Sequence, residues 1–183
     1  MPASLDRYFT REEVLAFPDD GKRYELVYGE LLVSPSPALP HQRVLRRLLL
    51  ALEPYVARHR LGETLTSPAD ITWGRGDDIL VQPDLFVTGA AHLGATRWDS
   101  LTDFLLFVEI LSPSTARYDR FTKRRLYQEM RVPLYWLLDL EKRRAEIWTP
   151  EGTSPTYEAR LLSWHPAGTT DAFTLELAEL FAP

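Results

Sequence analysis

The chain has 183 residues, of which 45% are hydrophobic and 26% are charged. This composition suits one compact soluble domain and excludes a disordered tail. No cysteine is present, which excludes a disulfide scaffold, a zinc ribbon and a thiol nucleophile and favours a reducing compartment. The sequence shows no signal-peptide pattern and no apolar stretch long enough to span a bilayer, so we expect a cytoplasmic protein that is not bound to a membrane.

The formal net charge of −5 argues against a protein that coats nucleic acid without specificity. The acidic excess lies at the two ends of the chain, because residues 31–144 contain 13 acidic and 16 basic residues. Clusters of bases such as those of residues 43–47, 117–125 and 142–144 are usually solvated faces of helices and turns. A phosphate-binding surface is the alternative interpretation.

The N-terminal part of the chain predicts two short elements and one long helix. A capping box predicts a helix within residues 10–16, and residues 23–34 predict a strand pair that turns at residues 28–29. Apolar residues then recur at helical spacing over residues 41–56. We expect Pro54 to kink or shorten the last turn of this helix.

Three strands are predicted next, over residues 63–73, 79–88 and 104–111, followed by a helix over residues 115–130. The second and third strands are apolar on both faces, which is typical of central strands. Further strands are predicted over residues 133–139, 145–149, 156–163 and 173–177. The order helix, three strands, helix, strand predicts an α/β fold with a mixed central sheet and an added N-terminal strand pair.

Two carboxylates interrupt the central strands. Glu109 is the only polar residue between Phe104 and Leu111, and Asp84 follows Pro83 within another apolar run. Burying such a charge costs several kcal/mol unless a partner compensates it. Each acid alone could simply pair with a buried arginine or cap a helix, but two on consecutive central strands favour a functional site.

The helix after the third strand carries a lysine on its apolar side. On a helical wheel, Lys123 lies in the arc formed by Leu126, Tyr127 and Met130, so its side chain should point toward the sheet. Only three of the 21 basic residues are lysines, which makes this choice of a compact ammonium notable. The alternative is an aliphatic stem that lies along the sheet with its charged end in water.

Two strand carboxylates and a lysine are the side chains that metal-assisted phosphodiester hydrolysis uses. The carboxylates would hold a hard cation such as Mg²⁺, which polarises the phosphate and acidifies a bound water. The ammonium would orient that water or neutralise charge in the transition state.

The same positions carry a resemblance to a known family. The order of elements resembles the PD-(D/E)xK nuclease superfamily, and residues 22–150 resemble the Uma family of restriction-endonuclease-like proteins. The matching segments are Tyr24-Glu25-Leu26, Gly29-Glu30-Leu31, Ser34-Pro35, His41, Pro83-Asp84, the block from Val108 to Ser114, Lys123 with Tyr127, and the block from Tyr135 to Asp139. We therefore expect a nuclease-like domain over residues 22–150, with residues 1–21 as a helical extension and residues 151–183 as edge strands on the same domain.

This resemblance implies roles for individual residues. Asp84 resembles the metal-binding aspartate and Glu109 the acid of the third strand, and the superfamily also uses the carbonyl that corresponds to Ile110 as a metal ligand. Leu111 stands where many members have the catalytic lysine, and Lys123 is the expected replacement. Glu30 matches an acid of the family that could bind the metal or orient Lys123, or it is a hairpin residue that faces solvent.

Three basic residues are candidates for substrate binding. His41 could contact a phosphate at the start of its helix, or it could serve as a capping histidine. Arg120 and Arg124 belong to the basic cluster of the helix predicted over residues 115–130 and are expected to bind substrate.

Two functions remain open at this point. The first is an endonuclease that uses Mg²⁺, or alternatively Mn²⁺, to cleave DNA as a homodimer. The second is a degenerate nuclease fold that serves as a non-catalytic accessory protein and binds nucleic acid or protein. For the first function we expect Asp84→Asn to abolish cleavage while thermal stability is unchanged or raised, because the change removes one of two like charges.

Overall fold

The computed structural model describes residues 7–74 and 76–183, so the first six residues of the expected N-terminal extension lie outside the described residues. Helix α1 spans Arg11–Leu15. The predicted capping box is present, since Thr10 Oγ1 accepts a hydrogen bond from the Glu13 amide and the Glu13 carboxylate accepts one from the Thr10 amide.

A small sheet contains the predicted N-terminal strand pair. Strands β1 (Arg23–Val27) and β2 (Glu30–Ser34) pair antiparallel around a turn in which Tyr28 and Gly29 both have positive φ. The other edge of β1 pairs with the short strand β4 (Ile79–Leu80), which gives the order β2-β1-β4.

The central sheet has six strands, which are β3 (Gly62–Thr66), β5 (Leu85–Gly89), β6 (Phe104–Ile110), β7 (Tyr135–Asp139), β8 (Arg144–Trp148) and β9 (Thr156–Glu158). Their order in the sheet is β3-β5-β6-β7-β8-β9. Strands β6 and β7 are parallel, and the other neighbours are antiparallel. The parallel pair requires a crossover, and the second long helical segment provides it. The expected mixed α/β fold with a mixed central sheet is therefore confirmed.

One face of this sheet packs against helix α2 (Leu39–Arg58) and the C-terminal part of the chain. That part consists of the antiparallel pair β10 (Leu161–Trp164) and β11 (Phe173–Glu176), followed by α5 (Leu177–Leu180). The buried residues of these elements form one hydrophobic core with Trp136 of the sheet. No helix within the described ranges has both the length and the apolar character needed to cross a membrane.

The other face of the sheet is covered by the crossover segment. It consists of α3 (Ala116–Tyr118), one π-helical turn (Asp119–Lys123) and α4 (Arg124–Glu129). Leu126 and Tyr127 pack there against Phe107 and other residues of the sheet.

Three predicted elements differ from the structure. Residues 79–88 do not form one strand: β4 and β5 belong to different sheets, and Pro83, which has no amide N–H for a ladder, lies between them. The predicted strand over residues 156–163 is likewise divided between β9 and β10, and that over residues 63–73 ends at residue 66. Pro54 does not shorten α2, because Pro54 and the carbonyl it leaves free lie on the solvent side of the helix.

Candidate active site

A cavity of about 720 Å³ opens at one edge of the central sheet. Because β5 is antiparallel to β6 and β6 is parallel to β7, the start of β5 and the ends of β6 and β7 meet at this edge. The start of β1, the first turn of α2 and the crossover segment complete the walls. The acidic residues that line it are Glu25, Asp84, Glu109, Asp119, Asp139 and Glu141.

Asp84 is buried at the start of β5 and accepts three polar contacts. Its Oδ2 accepts a hydrogen bond from the Ile110 amide at 2.8 Å and lies 3.0 Å from His41 Nε2. Its Oδ1 accepts a hydrogen bond from Arg23 Nη1 at 2.8 Å. Burial opposes ionisation, but these partners outweigh it and lower the pKa of Asp84 to about 2. Asp84 is therefore a carboxylate at neutral pH.

Glu109 and Lys123 form a buried ion pair across the cavity floor. Lys123 Nζ donates to Glu109 Oε1 at 2.8 Å, and the Tyr127 hydroxyl donates to the same oxygen at 3.0 Å. The ammonium also lies 2.7 Å from Glu25 Oε1. Burial disfavours its charge, but the surrounding carboxylates raise the pKa of Lys123 well above its ordinary value. Burial and the neighbouring acids raise the pKa of Glu109, against the opposing effect of Lys123.

The π-helical turn places Asp119 beside this pair. Its wider geometry leaves both Asp119 and Lys123 buried, while Phe121 between them is 62% exposed. Asp119 Oδ1 lies 3.7 Å from Lys123 Nζ, and burial raises the pKa of Asp119 to about 6. The predicted inward orientation of Lys123 is thus confirmed.

The oxygen atoms of the cavity suit a divalent cation. An ionised carboxylate offers roughly four acceptor positions, of which Asp84 uses three. Glu109 Oε2 accepts no hydrogen bond from the described residues and is not fully buried. No three histidine or acidic side chains of those residues converge as a metal site, but Mg²⁺ needs only one or two carboxylates when it keeps its waters. The residues present therefore fit the expected ligands, which are Asp84, Glu109 and the carbonyl of Ile110.

The net charge of this end of the cavity also suits a divalent cation. Glu25, Asp84, Glu109 and Asp119 provide four carboxyl groups, and the two permanently cationic neighbours are Arg23 and Lys123. The excess of two negative charges equals the charge of one divalent cation. Without the cation, the raised pKa values of Glu109 and Asp119 allow protons to reduce the excess.

Two of the three predicted substrate-binding residues line the cavity. His41 lines the cavity, but its side chain contacts Asp84 and caps no helix. Arg120 also lines the cavity and donates to the carboxylates of Glu146 and Asp139. Arg124 does not line it, because its guanidinium lies over the Trp148 ring and bonds Gln128.

Glu30 lies outside the cavity lining as well. It begins β2 and is exposed, which matches the hairpin residue that faces solvent and gives no support to a role in binding metal or orienting Lys123. The acid of the hairpin that contacts Lys123 is Glu25. Leu111, at the usual position of the lysine, is buried against the cavity.

Three residues of the site were missed from the sequence. Glu25 carried a usable signal, because it precedes buried Leu26 and Val27 just as Glu109 interrupts an apolar strand. Asp119 lies four residues before Lys123, a spacing that places both on one helical face. Arg23 carried no such signal, because its role depends on the distant Asp84.

The sequence and the fold are both similar to those of known proteins. Over residues 11–178 the chain matches the family model Uma2, described as a putative restriction endonuclease. The fold is similar to the crystal structure of a putative nuclease belonging to DUF820 from Anabaena variabilis ATCC 29413, with a TM-score of 0.73 and 19% identity over 95% of this chain and 98% of that one. A comparison with curated proteins found no match. The family match covers most of the sequence, and this chain therefore belongs to the Uma2 family of putative restriction endonucleases.

Proposed function

We propose that this protein is an endonuclease that uses Mg²⁺, or alternatively Mn²⁺, to hydrolyse phosphodiester bonds of DNA. The observation that carries the proposal is the buried Lys123–Glu109 pair in the same cavity as ionised Asp84. Perturbed and buried ionisable groups that converge in a cavity favour a catalytic site over a purely structural one.

The carboxylates provide the binding site for the cation. Asp84, Glu109 and the Ile110 carbonyl would hold it, and it would supply a Lewis acid for the phosphate and a water of lowered pKa. The amide of Ile110 and the side chain of His41 fix Asp84 Oδ2, so Oδ1 keeps the remaining acceptor capacity. Tyr127 and Lys123 fix Glu109 Oε1 in the same way and leave Oε2 open.

Lys123 acts as a charged donor in this proposal. Its raised pKa keeps it an ammonium at neutral pH, so it cannot accept the proton of the attacking water. A fixed ammonium beside the metal ligands can orient that water and stabilise the negative charge that develops on the phosphate. Its contacts with Glu25 and Glu109 hold it in place before substrate arrives.

The surroundings of the cavity suit a polyanionic substrate. Lys142 lines the cavity and is exposed, and Arg43 and Arg117 are exposed near the starts of the two helices that border it. Such positions are suited to phosphates on either side of a scissile bond. A homodimer would place two such sites on a duplex, which is the arrangement we propose for DNA.

The accessory-protein alternative is favoured by the net charge of −5 and by the residue at the usual lysine position. Leu111 occupies the usual lysine position and is buried, so the site departs from the commonest arrangement of the superfamily. Under that alternative, Lys123 would be only a counter-ion for the buried acids.

The deciding experiment is incubation of the purified protein with supercoiled plasmid in Mg²⁺, Mn²⁺ or EDTA. We expect nicked and linear products with either metal and none in EDTA or with Asp84→Asn. Asp99→Asn is the matched control, because Asp99 forms an exposed surface pair with Arg97, and it should cleave like the wild type. Absence of cleavage by a wild-type protein that also binds no Mn²⁺ in calorimetry would leave the accessory function.

A further inference from the structure

We propose that Arg23 is a phosphate-binding residue of this site, which Asp84 holds in the metal-free protein and releases when a cation occupies that carboxylate. This inference rests on the proposed nuclease function and adds a substrate-binding residue to it. Arg23 is the first residue of β1 and lines the cavity next to the expected metal ligands.

The guanidinium of Arg23 has hydrogen-bonding capacity to spare. Nη1 makes both of its bonds, to Asp84 Oδ1 at 2.8 Å and to the Gln82 carbonyl at 3.2 Å. Within residues 7–74 and 76–183, Nη2 and Nε have no hydrogen-bond partner, and neither nitrogen is fully buried. A guanidinium has five N–H groups, so three of those of Arg23 make no hydrogen bond to these residues, and Arg23 lines the cavity.

Two other cations of the cavity lack this freedom. Lys123 has 2% of its side chain exposed and lies among three carboxylates, whereas 19% of the Arg23 side chain is exposed. Arg120 is held by Asp139 and Glu146 together. Among the residues that the structure describes, Arg23 forms an ion pair with Asp84 alone, and it is therefore the cation that a change at Asp84 would free.

Metal binding at Asp84 would release Arg23 from its ion pair. The oxygen that Arg23 contacts is Oδ1, which is also the Asp84 oxygen with unused acceptor capacity. If Asp84 held a divalent cation, the added positive charge beside the carboxylate would weaken its ion pair with Arg23. The freed planar group matches two oxygens of a phosphate, and this geometry favours arginine over lysine.

The test measures metal affinity and cleavage separately in the full chain. For Arg23→Gln we expect Mn²⁺ to bind about tenfold more tightly in calorimetry without DNA, because a competing positive charge is removed. Single-turnover cleavage of plasmid at saturating Mn²⁺ should fall by about 100-fold, as for the loss of one preorganised donor. Arg58→Gln, which removes an exposed pair with Asp171, should change neither quantity.

The opposite directions of these effects make the outcome decisive. Unchanged affinity with unchanged cleavage overturns the inference, and so does a loss of both affinity and thermal stability, since Arg23 would then only support the fold. If Arg23→Gln does not fold, Arg23→Lys decides: at least tenfold slower cleavage with wild-type affinity supports the inference, and wild-type cleavage overturns it. Failure of the wild type to bind Mn²⁺ and to cleave rejects the nuclease function itself, which is a different result.

Discussion

Lys123 Nζ lies 2.7 Å from Glu25 Oε1, and this contact joins the crossover segment of the central sheet to strand β1 of the small sheet. Both side chains are almost fully buried, and the backbone amide of Gln82 also donates a hydrogen bond to Glu25 Oε1 at 2.8 Å. The N-terminal hairpin is therefore part of the wall of the site. Removing one member of this network leaves charges with no solvent to stabilise them.

Lys123→Met should destabilise the metal-free protein by about 3–5 kcal/mol at pH 7, because it leaves buried acids without their counter-ion. Urea denaturation measures the loss. Adding Glu109→Gln to Lys123→Met should recover part of it, since the double variant removes both charges of one pair. Arg125→Met, which breaks an exposed pair with Glu129, is the control and should cost less than about 1 kcal/mol. Equal losses for Lys123→Met and Arg125→Met would contradict a stabilising role of the buried ion pairs of Lys123.

Burial patterns identified part of this site because they are local. A carboxylate in an apolar strand and a lysine on an apolar helix face must each find a partner, and this predicted Asp84, Glu109 and Lys123. The partners themselves depend on which elements meet in space. Glu25 belongs to a strand of another sheet. Its place beside apolar residues and the four-residue spacing of Asp119 and Lys123 are visible in the sequence, but neither shows that both acids meet at one ammonium.

The division of residues 79–88 between two sheets shows the same limit. Their apolar pattern correctly predicts buried strands, yet β4 pairs with β1 and β5 pairs with β3 and β6. Pro83 indicated a local interruption, but the choice of partner strand depends on long-range contacts. The overall order of elements was predictable because apolar residues recur with different spacing in helices and in strands.

Asp84→Asn should lower stability, contrary to the sequence-based expectation that stability is unchanged or raised. That expectation considered only repulsion between acids, whereas the structure gives Asp84 an arginine, a histidine and an amide as partners. Its pKa falls from 3.8 to about 2 on folding, so its ionisation stabilises the protein by about 2 kcal/mol above pH 4. This contribution is lost as the pH falls from about 4 to 2.

Thermal unfolding of both proteins between pH 2 and 7 measures this contribution. The wild type should lose stability on acidification below pH 4 more steeply than Asp84→Asn, which has no carboxyl to protonate. Asp99→Asn, at the exposed surface pair, should follow the wild-type curve. A variant as stable as the wild type at pH 7 would instead favour like-charge repulsion as the dominant effect.

In the metal-free protein, Asp119 should make the stability fall as the pH rises, which is the opposite of the effect of Asp84. Its pKa rises from 3.8 to about 6 on folding, so the protonated form is favoured in the folded state. The stabilisation is fully present below pH 4 and is lost as the pH rises through 6, with a total of about 3 kcal/mol. Glu109 acts in the same direction. We expect the melting temperature in EDTA to fall between pH 4.5 and 7.

Mg²⁺ should reduce this fall, because a bound cation replaces the protons that balance the acidic excess. Asp119→Asn should reduce it too, since the amide does not titrate, whereas Asp99→Asn should leave the slope unchanged. A melting temperature that rises steadily from pH 4.5 to 7 in EDTA would show that Asp119 is ionised throughout. The raised pKa would then be ruled out as a source of stability.

Lys123→Arg tests whether the ammonium does more than balance charge. A guanidinium keeps the charge, but Glu25, Glu109 and Asp119 surround a point-like donor, and the larger planar group must displace them. We expect a loss of about 1–3 kcal/mol in stability from overpacking. Single-turnover cleavage at saturating Mg²⁺ should fall by about 100-fold or more, as for the loss of one preorganised donor, while Mn²⁺ affinity stays within about threefold. Lys22→Arg, at an exposed lysine paired with Asp20, is the matched control and should change neither rate nor stability. Near-equal rates for Lys123→Arg and the wild type would reduce Lys123 to a counter-ion, and the buried leucine at the usual lysine position would then argue for a site without catalysis.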